Sequence, residues 1–127
     1  MTEKKTLKPL TRAEMDVMNV LWDATHALTV NQIVDCYREP RPAYTTVATF
    51  LKILEAKGYL EHYKKVETGR TFYYSPMLSR EKYITHILKD VKDTLFGSSA
   101  KNLCSFLIQN EELSDEDLQE ILALIQG

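Results

Sequence analysis

The chain has 127 residues, 44% of them apolar and 27% charged, with 16 Lys and Arg against 18 Asp and Glu for a net charge of −2. This is the composition of one soluble globular domain, or of one domain with a small appendage, and it excludes a disordered or collagenous chain. No apolar run approaches the ~18 residues of a membrane span, and the polar opening MTEKKTLKP does not read as a signal peptide, so a cytoplasmic protein is expected.

Residues 1–8 read as a polar, disordered tail. Thr11 followed by Glu14 is a capping box, and Asp16 suits the first turns of a helix running to about Asp23. Its buried stripe is Met15, Val17, Met18, Leu21 and Trp22, with the single tryptophan as a core anchor. Thr29 with Gln32 repeats the capping pattern and opens a second helix from Val30 to Tyr37 or Arg38, burying Ile33, Val34 and Tyr37. Pro40 and Pro42 end it and keep the turn short.

A third helix follows over Tyr44–Lys57. At 3.6 residues per turn, Val47, Phe50, Leu51 and Leu54 gather on one face. Thr45, Thr49, Lys52 and Ala56 gather opposite, with Thr46 and Ala48 beside them. Surface helices usually carry long charges on the polar side. Short hydroxyl and methyl groups instead allow close approach, and threonine can offer both to base edges. Gly58 ends the helix where a left-handed residue is wanted. YLEHYK and RTFYYS then read as two strands of a hairpin about the turn KVETG. Tyr63, Phe72, Tyr73 and Tyr74 are read as sheet packing. Two helices joined by a tight connection, a third closing their core, and a hairpin behind make a winged helix-turn-helix.

Beyond Pro76, Ser79 caps a long helix to about Leu95 with the stripe Tyr83, Ile84, Ile87, Leu88, Val91 and Leu95. Gly97-Ser98-Ser99 breaks it. Leu103, Phe106, Leu107 and Ile108 mark a shorter helix, and Ser114 with Asp117 caps a last one bearing Leu118, Ile121, Leu122 and Ile125. Three narrow helices with apolar faces suit a homodimerisation region, the alternative being that they fold back onto the first domain. The expected fold is therefore mainly α with a small β-hairpin wing: a DNA-binding domain over residues 1–76 and a helical dimerisation region over 77–127.

Chemistry narrows the function. Residues 1–75 hold 11 Lys/Arg against 9 Asp/Glu, a net of +2, while 76–127 hold 5 against 9, a net of −4, so a polyanion should meet the first part. His26, His62 and His86 are scattered, no Ser or Cys sits in a nucleophile motif, and no glycine-rich phosphate loop is present. The acidic run Glu111, Glu112, Asp115, Glu116 and Asp117 suits a solvated helix start. This is not the sequence of an enzyme. Cys36 and Cys104 form no CxxC pair and are expected to be buried small apolar residues; with the three histidines they show no metal-site spacing, so neither metal nor cofactor is expected. Thr45, Thr46, Thr49 and Lys52 are assigned to the major groove of double-stranded DNA. Lys64, Lys65 and Arg70, on the wing, are assigned to phosphate or minor groove. Taken singly, each threonine could equally be a tolerated surface residue and each lysine a solvated one.

The segments TRAEMDVMNVLW, YTTVATFLKILEAKGYL and GRTFYYSP, with the tail FGSSAKNLCSFLIQNEELSDEDLQEIL, resemble the penicillinase-repressor family, to which copper-responsive repressors are related. The resemblance covers nearly the whole chain. It implies a winged-helix homodimer that represses transcription from dyad-symmetric operators, with Thr45, Thr46 and Thr49 on the recognition helix and Arg70 in the wing. It also implies a sensor protease as a further candidate partner, since antibiotic-responsive members are inactivated by cleavage of an Asn-Phe bond. The corresponding bond is Ser105–Phe106, which keeps the phenylalanine and lacks the asparagine. Two more departures stand out: Ile53 occupies a position where the family often has arginine, and the cysteine-rich tail of the copper-responsive members is absent. Two other classes stay open, a winged helix that grips protein and a ligand-responsive regulator.

Overall fold

The computed structural model describes residues 9–67 and 69–126; the tail expected over residues 1–8, and Thr68 in the hairpin turn, lie outside the described residues. The element order is α1 (Arg12–Asp23), α2 (Val30–Asp35), α3 (Tyr44–Ala56), β1 (Leu60–Lys64), β2 (Phe72–Pro76), α4 (Arg80–Leu95), α5 (Ala100–Asn110) and α6 (Asp115–Gln126). The architecture is a helix-turn-helix with a two-stranded antiparallel wing, followed by helices. The chain divides into two compact units, Met1–His86 and Ile87–Gly127, so the division falls within α4 and later than the break at Pro76.

Local signals set the helix ends. Thr11 and Thr29 each form a full capping box, with Glu14 and Gln32 respectively. The second helix is shorter than its sequence pattern predicts. The amides of Cys36 and Tyr37 donate three residues back, to Ile33 and Val34, which tightens the last turn ahead of Pro40. At the end of α3, Gly58 takes φ +86°, and the amides of Gly58 and Tyr59 donate to Glu55 and Leu54, a Schellman arrangement that satisfies two end carbonyls.

The core of the first unit is built from Val17, Met18 and Leu21 of α1, Ile33 of α2, Val47, Leu51 and Leu54 of α3, and Tyr59 and Leu60 at the start of the hairpin. Phe50, expected on this face, is half-buried. In the hairpin Leu60 pairs with Pro76 and Lys64 with Phe72. Leu28 adds a one-residue third strand, exchanging amide–carbonyl bonds of 3.0 and 2.8 Å with Tyr74. Tyr83, in the first turn of α4, belongs to this core: its ring lies 5.7 Å from Trp22 and 5.8 Å from Tyr59, and its hydroxyl accepts from the Leu10 amide. Trp22 is half-buried, donating from Nε1 to the Leu78 carbonyl at 2.8 Å.

In the second unit Ser114 caps α6 as the sequence predicts, accepting from the Asp117 amide, and Ser99, read in the sequence only as part of a break, caps α5 by accepting from the Asn102 amide. The Phe96 and Phe106 rings meet edge to face at 5.6 Å across the break at Gly97-Ser98. No described side chain of α5 or α6 is buried. The expectation of buried cysteines is corrected: Cys36 and Cys104 are both exposed. Cys36 falls in the turn that closes α2, past its last buried residue Ile33, and Cys104 rides on a helix that buries nothing within one chain.

Candidate nucleic-acid interface

Helix α3 presents the face its periodicity predicts. Val47, Leu51 and Leu54 anchor it to the core, which leaves Thr45, Thr46, Thr49 and Lys52 exposed on the outer side, with Ile53 at 40% exposure beside them. The N-cap is Ala43, which offers no side-chain hydrogen bond. The hydroxyls are not equivalent. Thr49 Oγ1 donates to the Thr45 carbonyl at 2.9 Å, whereas the hydroxyls of Thr45 and Thr46 make no such bond among the described residues.

The hairpin supplies cations on both of its faces, because successive strand residues point opposite ways. Lys64 lies over the Phe72 ring at 5.0 Å, on the side facing α3. Lys65 lies over Tyr73 at 4.3 Å, on the other side, where Tyr63 and Tyr73 stack at 6.2 Å. The aromatic residues thus pack across the strands and carry the lysine ammonium groups over their faces. Arg70 stands on the returning limb and lines a polar hollow of about 240 Å³ with Thr29, Asn31, Tyr44 and Thr71. The wing base and the starts of α2 and α3 therefore converge on Arg70.

Ion pairing separates these cations from others. Arg41 pairs with Asp35 and Glu39, Lys57 with Glu14, and Arg80 with Asp23. Lys52, Lys64 and Arg70 make no ion pair among the described residues. Cations without a carboxylate partner among the described residues, on one helix and its adjoining hairpin, leave their charge to attract an external anion.

Two polar contacts hold α3 in place, and neither is written in a local motif. Glu14, only 3% exposed, accepts from Lys57 Nζ at 2.8 and 3.0 Å as well as from the Thr11 amide. One carboxylate therefore caps α1 and ties the far end of α3 to it. His62 Nδ1 meets Glu55 Oε1, joining β1 to α3 beside a cleft of about 390 Å³ lined by Ala48, Leu51, Lys52, Phe72 and Tyr74. Burial pushes the Tyr74 phenol up, with Tyr44 and Glu55 adding to it, so that hydroxyl stays neutral. A hint was available in Glu55, the single acid within α3, but its partner lies on another element.

Among the described residues, no group of three His, Cys, Asp or Glu could hold a metal ion, His26, Cys36, His62, His86 and Cys104 included. No helix of the described residues is long and apolar enough to cross a membrane. On the helices assigned to dimerisation, Ile84, Leu88, Phe106, Leu107, Ile121, Leu122 and Ile125 are exposed, and Ile87, Val91, Leu103 and Leu118 are half-buried. The Ser105–Phe106 bond lies inside α5.

Comparison with known proteins places these features in context. A family model described as "Penicillinase repressor" matches residues 10–127. The Penicillinase repressor of Bacillus licheniformis is 25% identical over 122 residues, covering 96% of this chain and 93% of that protein. A solved structure, the PcaV transcriptional regulator from Streptomyces coelicolor in complex with its natural ligand, is 18% identical and covers 92% of this chain and 72% of its own, with a TM-score of 0.45.

Proposed function

The chain belongs to the penicillinase repressor family, and from that premise we propose that it is a DNA-binding transcriptional repressor that grips a dyad-symmetric operator as a homodimer. The observation that carries this reading is the exposed Thr45, Thr46, Thr49 and Lys52 face of α3 beside Lys64 and Arg70, which make no ion pair among the described residues. Helix α3 enters the major groove, with its threonines and Lys52 toward base edges. Lys64, Lys65 and Arg70 contact phosphate or minor groove and set the register. Repression follows from occluding polymerase, and the protein works in the cytoplasm without catalysis.

The apolar residues exposed on α4, α5 and α6 support the dimer. Phe106 at 51% and Ile125 at 76% are costly to leave in water, and a second copy can cover them. Relief of repression by cleavage at Ser105–Phe106 is not part of this reading, because the asparagine is missing.

Fluorescence anisotropy tests the proposal, using the duplex upstream of this protein's own coding region against a scrambled duplex at two salt concentrations. Selective binding that weakens steeply with salt is the expected result. A salt-insensitive interaction with neither duplex preferred would overturn it and favour a winged helix that grips protein.

A further inference from the structure

Resting on that reading of α3, we propose that the γ-methyl of Thr49 and the side chain of Ile53 form an apolar reading edge that selects thymine through its 5-methyl group. Thr49 is exposed, yet its hydroxyl hydrogen is already committed to the Thr45 carbonyl at 2.9 Å. A threonine bonded back along its own helix has its methyl left to present. Ile53 lies one turn further on, four residues away, where side chains on a helix are surface neighbours. It is a large aliphatic group at 40% exposure on the polar side of α3, not part of the Val47, Leu51 and Leu54 stripe that enters the core.

The surroundings identify the occupant as duplex DNA. Lys52 adjoins Ile53 on the same exposed side without an ion pair among the described residues, and Lys64 and Arg70 flank the helix from the hairpin. A polyanion is what this charge complements. Within the major groove, thymine alone carries a methyl; guanine, cytosine and adenine present donors and acceptors. An aliphatic edge pressed against those groups strips them of water and gives nothing back, so the same pair favours thymine and disfavours the alternatives. The hydroxyls of Thr45 and Thr46 remain available as donors on the preceding turn. The helix thus offers hydroxyls at its start and hydrocarbon at its middle.

The test begins with selection of duplexes from a random-sequence library by the full-length protein. In the enriched duplex each thymine is then replaced singly by deoxyuridine, which removes the 5-methyl and nothing else. The expected result is at least one thymine per half-site where this replacement weakens binding about fourfold, the worth of one buried methyl-sized group. Thr49→Ser and Ile53→Gln should each reduce that difference, while Thr49→Val, which keeps a methyl and loses the hydroxyl, should preserve it. If every thymine tolerates deoxyuridine in a duplex still bound selectively, the apolar edge is overturned and the repressor reading survives. Enrichment of no duplex overturns the reading and the inference together.

Discussion

Glu14 does three things with one carboxylate: it is buried, it caps α1, and it receives both hydrogen bonds from Lys57 at the far end of α3. Burial pushes its pKa up, but the hydrogen bonds from Lys57 and Thr11 outweigh burial and hold it below its ordinary 4.5. A carboxyl with a depressed folded pKa adds stability that is complete above 4.5 and is lost as pH falls through the lower folded value. Lys57→Met leaves the acid buried without its cation, and we expect a cost of about 3 kcal/mol, the low end for breaking a buried pair since Lys57 keeps some solvent access. In the variant only the Thr11 hydrogen bonds oppose burial, so the folded pKa of Glu14 rises relative to the parent and the deficit should shrink on acidification; urea titrations at neutral and acid pH measure it. Tyr59 works at the other end of the scale. Burial first, then Tyr83 and Glu14, push its phenol from 10.0 to about 12. The neutral phenol therefore contributes stability that is complete below pH 10 and lost as pH rises toward 12, and Tyr59→Phe should flatten that alkaline decline in thermal melts.

At the scale of elements, α3 and the hairpin are joined through Gly58. Its φ of +86° is open to glycine, and a Cβ added there would meet nothing within 4 Å. The cost of Gly58→Ala is therefore backbone strain alone, about 1–2 kcal/mol by denaturant unfolding, with no packing defect. The interface makes a separate demand. Lys52→Ala should weaken operator binding while leaving the oligomeric state unchanged, because its ammonium has no internal partner among the described residues. Lys64→Ala should lower affinity for every duplex and flatten the salt slope by about one unit, the signature of one lost phosphate contact. An unchanged slope would remove Lys64 from the phosphate set.

For the whole molecule, the question is what covers the aliphatic residues of the second unit. Leu122 and Ile125 on α6 and Phe106 on α5 are exposed in one chain, and no described residue of either helix is buried. In the dimer reading these residues are an incomplete core. Leu122→Glu should then yield monomers by light scattering, and its melting temperature should lose the concentration dependence expected of the parent dimer. A monomeric parent protein at micromolar concentration would sink that reading.

Much of this architecture was legible in the chain because its signals are local. Thr11 with Glu14, Thr29 with Gln32, and the serines at 79 and 114 each announce a helix start to an amide three residues on. The 3.6 period separates Val47, Leu51 and Leu54 from Thr45, Thr49 and Lys52. The shortened α2, the exposed cysteines and the committed hydroxyl of Thr49 were not legible. Nor was the convergence of Arg70 with Asn31 and Tyr44. The tie between Glu14 and Lys57 spans 43 residues, that between Trp22 and Leu78 spans 56, and that between Leu10 and Tyr83 spans 73. Caps and periodicity report interactions one helical turn long, whereas these partners meet only after the core has closed. The sequence by itself determined which elements form and which face of each is apolar. Tertiary packing decided which distant groups meet, such as Glu14 with Lys57 and Trp22 with Leu78, because those contacts exist only once the core is closed.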